Sequence, residues 1–163
     1  MLLPSNVKVV EVDPQGPDAM ALLREAAIEA RDLYPDPHQP GAPWPTNPPT
    51  PVGGVYLVAY VDGMPVACGA LRPLEGRAVE VRRMFVTRSA RRTGLAKTIL
   101  GALEAEASRM GYGIMRLETG CRQVPAAALY TAYGFRRIEP FGEYINDPKS
   151  VCFEKTVNTL AAR

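Results

Sequence analysis

One segment in the middle of the chain restricts the fold more than any other. Residues 78–86 (AVEVRRMFV) form an apolar and β-branched run, a Gly-containing turn follows, and residues 95–107 place leucine, isoleucine and alanine at helical spacing. A second strand pattern, IMRLET, occupies residues 114–119. Because two strands joined through a helix are commonly parallel neighbours, this segment predicts a parallel strand pair at the centre of a mixed sheet.

Shorter patterns on both sides predict the rest of the sheet. Two strand patterns at 54–73 flank Asp62-Gly63, a dipeptide typical of a two-residue hairpin. The other predicted elements are a strand at 7–12, a helix from Asp18 as N-cap to Tyr34, a helix from Pro125 to Gly134, and strands at 135–139 and 151–157. The order β-α-β-β-β-α-β-α-β-β predicts an α/β fold with a mixed (α+β) sheet, and the length fits one domain over residues 1–163.

A proline-rich segment interrupts this pattern. Residues 34–51 hold half of the 16 prolines, the only tryptophan (Trp44) and the only histidine (His38). Proline at this density neither continues a helix nor joins an inner strand. Since long irregular loops in compact domains often border binding sites, we expect residues 34–51 to lie beside a substrate pocket, with His38 on the surface.

Charge and composition exclude several classes of protein. The formal net charge of +2 is too small to predict a nucleic-acid or membrane partner, and the arginines between residues 82 and 92 lack interleaved exposed aromatics. Three scattered cysteines, Cys68, Cys121 and Cys152, favour a reducing compartment and argue against a disulfide frame or a metal site. The N-terminal residues have no signal-peptide pattern and no stretch reaches about 20 apolar residues, so we expect a cytoplasmic protein.

The turn between the central strand and its helix has the chemistry of an anion site. Backbone N–H groups at a helix start lack intrahelical partners and carry about half a positive charge from the helix dipole. Gly94 permits close approach of a ligand to the backbone, and Arg91 and Arg92 add charge. The turn matches neither a P-loop nor a dinucleotide fingerprint.

The residues of this turn and of a second motif carry a family resemblance. Arg91–Ala96 fits the pattern [RQ]-x-x-G-x-[GA] directly after a strand, and ALYTAYGF at 128–135 places Tyr130 four residues before Gly134. Together with the element order, these motifs resemble the GCN5-related N-acetyltransferase (GNAT) superfamily over nearly the whole chain, with residues 35–51 as the variable part.

The resemblance implies acetyl-CoA as cosubstrate. Its pyrophosphate would lie on the backbone N–H groups of the turn, and its pantetheine arm would pair with the preceding strand. The implied binding residues are Met84, Phe85, Val86, Arg91, Arg92, Thr93, Gly94, Leu95 and Ala96.

Acetyl transfer to an amine requires a neutral amine, a stabilised oxyanion and a proton for the leaving thiolate. Tyr130 matches the family tyrosine beside the sulfur and is the candidate acid, with Tyr133 as the alternative. Glu80 matches the glutamate that serves as general base in histone-type members, although pairing with an arginine is an equal alternative. Glu118 is the second candidate base.

The cysteines are not candidates for catalysis. Cys121 has no histidine placed to activate it, and Cys68 and Cys152 are expected in the core.

The expected function is therefore direct transfer of an acetyl group from acetyl-CoA, through a tetrahedral intermediate, to a small-molecule or protein amine. The alternative is a non-catalytic acyl-CoA-binding sensor or interaction domain. Dimerisation is common in the family and stays open for this chain. Loops 34–51, 72–77 and 136–149 are expected to select the acceptor, and they carry no recognisable code.

Overall fold

A mixed seven-stranded sheet organises the computed structural model, which describes residues 6–34 and 43–159. The strands are β1 (Val7–Glu11), β2 (Val55–Val61), β3 (Met64–Pro73), β4 (Ala78–Val86), β5 (Ile114–Gly120), β6 (Arg136–Ile138) and β7 (Ser150–Thr156). The helices are α1 (Pro17–Leu33), α2 (Leu95–Arg109) and α3 (Val124–Tyr133), and single 3₁₀ turns span Arg88–Ala90 and Gly142–Tyr144. The strand order is β1-β2-β3-β4-β5-β7-β6, which confirms the predicted fold class and element order.

The parallel pair predicted at the centre is β4 with β5, and it is short. Pairing runs from Ala78 opposite Ile114 to Val81 opposite Leu117 and then stops, although both strands continue. Every other neighbouring pair of strands is antiparallel. The sheet therefore has an opening in its middle, at the carboxyl ends of β4 and β5.

A bulge in β4 lies at the start of this opening. Cys68 of β3 pairs with Phe85 and Ala70 pairs with Arg82, so two residues of β4 face one residue of β3. Arg83 takes up the extra length with φ of 60°, a left-handed conformation that is uncommon for a residue with a side chain. The Cys68 thiol donates to the Arg83 carbonyl at 3.1 Å and thereby supports this conformation.

The helices cover the two faces of the sheet unequally. On one face α2 and α3 pack over a large core that includes Leu71, Val81, Ile99, Leu117 and Phe153. On the other face α1 packs Ala19 and Leu22 only against the half of the sheet formed by the early strands. This second face therefore leaves room for polar side chains near β4 and β5.

Turn and cap residues in the sequence predicted several element boundaries correctly. The hairpin turn at Asp62-Gly63 has positive φ at both residues (50° and 82°), and Gly134 ends α3 with φ of 116°. The prediction of Asp18 as N-cap was wrong, because α1 begins two residues earlier, with Gly16 as N-cap. Asp18 instead accepts a hydrogen bond from the Tyr60 hydroxyl at 2.6 Å.

The proline-rich segment is irregular where the structure describes it, from residue 43 onward, whereas His38 lies outside the described residues. Trp44 lies between two guanidinium groups of α1, with Arg24 at 3.9 Å and Arg31 at 3.5 Å from the ring centroid. The buried Asn47 accepts a hydrogen bond from the Arg83 Nε at 2.9 Å. The segment is thus fastened to α1 and to the β4 bulge. None of the helices in the described parts of the chain is long and apolar enough to cross a membrane.

A buried ion-pair network joins α2, α3 and β7. Glu104 accepts hydrogen bonds from the Tyr133 hydroxyl (2.8 Å), the Lys155 ammonium (2.6 Å) and the Asn158 backbone N–H (2.8 Å). Burial raises the pKa of Glu104, but these three donors outweigh burial and leave the pKa below its ordinary value. Because the folded-state pKa is depressed, the network contributes stability above the pKa of an unfolded glutamate and loses it as the pH falls.

Glu104→Gln is expected to lower the free energy of unfolding at pH 7 by about 2 kcal/mol. The substitution leaves the Lys155 ammonium, whose side chain is 10% exposed, without its counter-ion, and the cost falls below the ~3–5 kcal/mol of breaking a buried pair because Lys155 also donates to the Thr156 carbonyl. Urea unfolding at pH 7 and pH 3.5 measures this effect. A variant whose loss is as large at pH 3.5 as at pH 7 would contradict the electrostatic assignment.

Candidate active site

The turn that joins β4 to α2 presents a series of free backbone donors. Arg92 and Gly94 both have left-handed backbones, with φ of 64° and 84°. The Thr93 hydroxyl donates to the Ala90 carbonyl at 2.6 Å and holds the turn closed. Within the described chain, no N–H from Arg92 to Lys97 donates to a carbonyl, and the first paired N–H is that of Thr98. Consecutive N–H groups at a helix start, bent by left-handed residues, form a concave anion site.

The two arginines of the turn have different environments. The Arg91 guanidinium donates to both carboxylate oxygens of Glu29 in α1 at 2.8 Å and to the Val86 carbonyl at 2.9 Å. Its side chain therefore fixes the turn against α1, whereas the Arg92 side chain is exposed. Leu95 is buried in the core, so it offers a ligand only its backbone.

Gly94→Glu is expected to weaken acetyl-CoA binding at least tenfold, or about 1.4 kcal/mol, because it places a negative charge among the free N–H groups. Gly94→Ala is the matched control, since it has the same strained positive φ without the charge, and it should lose much less affinity. Calorimetric titration with acetyl-CoA, after circular dichroism has verified the fold, measures both. Equal losses in the two variants would assign the effect to the backbone alone.

The strand edge that leads to this turn is unpaired. Past Val81, the edge of β4 that faces β5 has no strand partner. Met84 and Val86 pack toward α2, and Phe85 packs toward α1 on the opposite face. These side chains thus pack into the two cores. The Cys68 thiol and Arg91 occupy the Arg83 and Val86 carbonyls, and the other main-chain groups on the open edge of β4 remain available to an extended ligand that pairs as an additional strand.

The two candidate tyrosines of α3 are in different environments. Tyr130 is 7% exposed and packs against Phe135 and Phe153 at centroid distances of 5.8 and 6.2 Å. Among residues 6–34 and 43–159, its hydroxyl has no hydrogen-bond partner, whereas the Tyr133 hydroxyl is engaged by Glu104 at 2.8 Å. Burial, and then the charge of Glu118, raise the pKa of Tyr130 above its ordinary value. Tyr130 is therefore a protonated and available donor.

Glu80 belongs to a row of alternating charges across the sheet face that α2 and α3 do not cover. The strand register places Arg72, Glu80, Arg116, Glu154 and Arg136 side by side on five strands. Glu80 is 1% exposed, and it accepts hydrogen bonds from Arg72 and from the Tyr144 hydroxyl, each at 2.6 Å. Both carboxylate oxygens of Glu80 thus already have a donor.

A cavity of about 120 Å³ lies at the opening between β4 and β5. Its lining residues are Glu80, Val81, Arg82, Arg83, Glu118 and Tyr144. The Ser150 hydroxyl donates to Glu118 Oε2 at 2.6 Å, and no other donor to Glu118 is found in the described structure. Burial raises the pKa of Glu118, and the charges of Asp147 and Glu80 raise it further, against the lowering effects of Ser150 and Arg82. The cavity thus brings together both candidate bases, and Glu118 lies within electrostatic range of Tyr130.

The sequence analysis missed several residues of this site. Arg72 and Tyr144 both bind Glu80, and Asn47 binds the bulge residue Arg83. A charged residue opposite Glu80 could have been found from the β3–β4 register, but Tyr144 and Asn47 lie in irregular segments without a pattern. A larger cavity of about 230 Å³ lies at the far edge of the sheet beside β1 and Tyr60, away from the opening.

None of the cysteines lines the cavity. Cys68 and Cys152 are buried, as expected, and Cys121 is exposed beyond β5. In the described residues, no group of three or more histidine, cysteine, aspartate or glutamate side chains is arranged to hold a metal ion.

Comparison with curated proteins shows acetyltransferase relatives. The chain is 42% identical over 101 residues to the "IAA acetyltransferase" of Azospirillum brasilense, a match that covers 61% of this chain and 66% of that protein. It is 41% identical over 90 residues to the "Uncharacterized N-acetyltransferase YsnE" of Bacillus subtilis strain 168, covering 54% of this chain and 60% of YsnE. The chain thus spans two thirds or less of the length of these relatives.

Comparison with solved structures shows the same architecture over most of the chain. A protein from Klebsiella pneumoniae that is described as an acyl-CoA N-acyltransferase superposes on this chain with a TM-score of 0.75 at 29% identity. The match covers 93% of this chain and 98% of that one. A GNAT family acetyltransferase from Elizabethkingia anophelis, solved with acetyl-CoA bound, shares the fold with a TM-score of 0.67 at 17% identity and coverage of 93% and 99%. The sequence model of the acetyltransferase (GNAT) family matches residues 20–135, and the chain therefore belongs to this family.

Proposed function

We propose that the protein is an N-acetyltransferase that uses acetyl-CoA and acts on an amine. The observation that carries this proposal is the continuity of three features: the free N–H groups from Arg92 to Lys97, the unpaired edge of β4, and the opening lined by Glu118, whose charge acts on the Tyr130 hydroxyl. An anion site, an extended binding edge and an acid–base pair follow one another in the order that a pyrophosphate, a pantetheine arm and a thioester would require.

The chain's own groups fit acetyl-CoA, which when bound supplies an activated acetyl thioester. The turn N–H groups would hold the pyrophosphate, with the exposed Arg92 as a supplement and Arg91 as the residue that keeps the turn in place. Main-chain groups of Met84, Phe85 and Val86 would align the extended arm. Past Val81 the edge of β4 that faces β5 has no strand partner, and its backbone N–H groups would stabilise negative charge on an oxygen.

The acceptor amine must lose a proton before it attacks. Glu80 stays a candidate for this step, but Arg72 and Tyr144 hold both of its oxygens. Glu118 has a single donor, and its pKa is raised by burial, which makes it a stronger base than an ordinary carboxylate. We therefore assign proton removal to Glu118, and we assign to Glu80 the role of positioning Tyr144 and Arg72 at the cavity.

The leaving sulfur must be protonated. A thiol has a pKa of about 8.5 in water and a phenol is the weaker acid, so the phenol donates its proton to the sulfur as negative charge develops there and the carbon–sulfur bond breaks. Tyr130 is protonated at neutral pH and its hydroxyl has no competing partner in the described structure. Tyr133 is bound to Glu104, which supports the choice of Tyr130.

A screen for CoA release tests the proposal. Purified protein is mixed with acetyl-CoA and a panel of small amines and of peptides with free N-termini or lysines. IAA is included because the Azospirillum relative is named for it. The free thiol is followed with a thiol reagent, and the acetylated product by mass spectrometry. Acetyl-CoA binding without turnover on any acceptor would favour the alternative, an acyl-CoA-binding sensor.

A further inference from the structure

Two guanidinium groups converge on one carboxylate position at the mouth of the central cavity. Glu143 Oε1 lies 3.5 Å from Arg72 Nη2 and 3.4 Å from Arg82 Nη1. These separations are longer than the 2.6 Å between Arg72 and Glu80, and the Glu143 side chain is 60% exposed. The position is therefore built for a carboxylate, and a surface side chain occupies it loosely.

Arg82 is the guanidinium of this pair that is free to bind a ligand. Arg72 is held by Glu80, and the neighbouring Arg83 donates away from the cavity to Asn47 and to the Thr46 carbonyl. In the described part of the chain, Arg82 has only Glu143 as an ion-pair partner. The exposed Glu143 side chain can rotate into solvent while the neighbouring Tyr144 keeps its hydrogen bond to Glu80.

The size of the cavity limits how far apart the charged groups of a substrate can be. Arg82 and Glu118 line the same small space of about 120 Å³. An amine directed at Glu118 and an anion directed at Arg82 must therefore be separated by a few bonds.

We propose that the acceptor is an amine with a carboxylate on a neighbouring carbon, as in an α-amino acid, and that Arg82, assisted by Arg72, binds this carboxylate in place of Glu143. The inference rests on the proposed acetyltransferase activity and assigns the selection of the acceptor class to Arg82. The carboxylate anchors the acceptor, and the amine on the adjacent carbon then lies toward Glu118 and the thioester opening.

The test compares acceptors that differ only in this group. Alanine, leucine and phenylalanine are each compared with their carboxamides, at equal concentrations of the neutral amine, in the wild type, Arg82→Gln, Arg82→Lys and Glu143→Gln. Arg109→Gln is the matched control, because Arg109 is an exposed arginine at the far end of α2.

In the wild type, kcat/KM for the carboxylate acceptors is expected to exceed that for the carboxamides at least tenfold, mainly through KM. Arg82→Gln should bring kcat/KM for each carboxylate acceptor down to that for its carboxamide in the same variant, Arg82→Lys should keep part of the preference, and Glu143→Gln should lower KM for carboxylates. Turnover with no preference for the carboxylate, or an unchanged preference in Arg82→Gln, would overturn the inference and leave the acetyltransferase proposal standing.

A binding measurement separates the two proposals if no acceptor is turned over. N-acetylleucine and N-acetylleucinamide are titrated into the wild type and Arg82→Gln by calorimetry. The inference predicts that only the wild type favours N-acetylleucine, by at least tenfold, and equal binding of the two compounds by the wild type would contradict it.

Discussion

Tyr130→Phe is expected to lower kcat about 100-fold and to leave the affinity for acetyl-CoA nearly unchanged. The substitution keeps the ring in its contacts with Phe135 and Phe153 and removes only the hydroxyl, which has no partner in the described structure. Steady-state kinetics on an acceptor found by the CoA-release screen gives kcat, and calorimetry gives the affinity. The loss should appear in the acetyl-transfer step, so single-turnover experiments should show it as well.

Tyr133→Phe is the matched control on the same helix. It removes the hydrogen bond to Glu104 and should reduce stability while kcat stays near the wild-type value. A normal kcat in Tyr130→Phe would show that solvent or another group protonates the sulfur. A loss of kcat in Tyr133→Phe alone would move the acid to the other face of α3.

Glu118→Gln is expected to lower kcat/KM about 100-fold at pH 7, because it removes the group that accepts the amine proton. The variant keeps the side-chain shape and an oxygen that can still accept from Ser150. In the wild type, kcat/KM should fall on the acid side as Glu118 becomes protonated, and because burial raises the pKa of Glu118, this fall should begin above the range of an ordinary carboxyl group. The pH–rate profile of the variant should lack this limb.

The same variant should be more stable than the wild type at neutral pH. The folded-state pKa of Glu118 is raised, so its contribution to stability is fully present below the unfolded pKa and is lost as the pH rises through the folded value. At pH 7 the charged carboxylate is therefore a cost that glutamine removes. Thermal unfolding at pH 7 should give a higher Tm for Glu118→Gln.

Glu80→Gln distinguishes the role of Glu80 from that of Glu118. This substitution breaks the ion pair with Arg72 in a site that is 1% exposed, so it should lower the Tm and change KM for the acceptor more than it changes the acid limb. If Glu80→Gln abolishes the acid limb and Glu118→Gln retains it, then Glu80 is the base.

Much of the fold was predictable because its signals are local. β4 begins and ends with the apolar run from 78 to 86. α3 ends at Gly134, a residue type that readily takes the left-handed conformation of a C-terminal cap. The β4–turn–α2 unit also predicted the parallel pair, which β4 and β5 form. The N-cap of α1 was missed because Asp18, Gly16 and Pro17 all carry start signals, and their relative strength depends on the contact of Asp18 with Tyr60.

The details of the site were less predictable because they depend on contacts between distant segments. Arg91 belongs to the turn motif, yet its guanidinium is committed to Glu29 of a helix far away in sequence. The partners of Glu80 come from β3 and from the 3₁₀ turn at Tyr144, and only the sheet register brings them together. The ranking of Glu118 above Glu80 as a base depends on which carboxylate already has donors, which no sequence pattern records.

A crystal structure with acetyl-CoA bound tests the central claim most directly. We expect the pyrophosphate oxygens within hydrogen-bond distance of the N–H groups from Arg92 to Lys97, the pantetheine arm along the β4 edge at Met84–Val86, and the sulfur beside the Tyr130 hydroxyl. Acetyl-CoA bound elsewhere, for example in the cavity beside β1, or bound with its thioester outside the β4–β5 opening, would contradict the account.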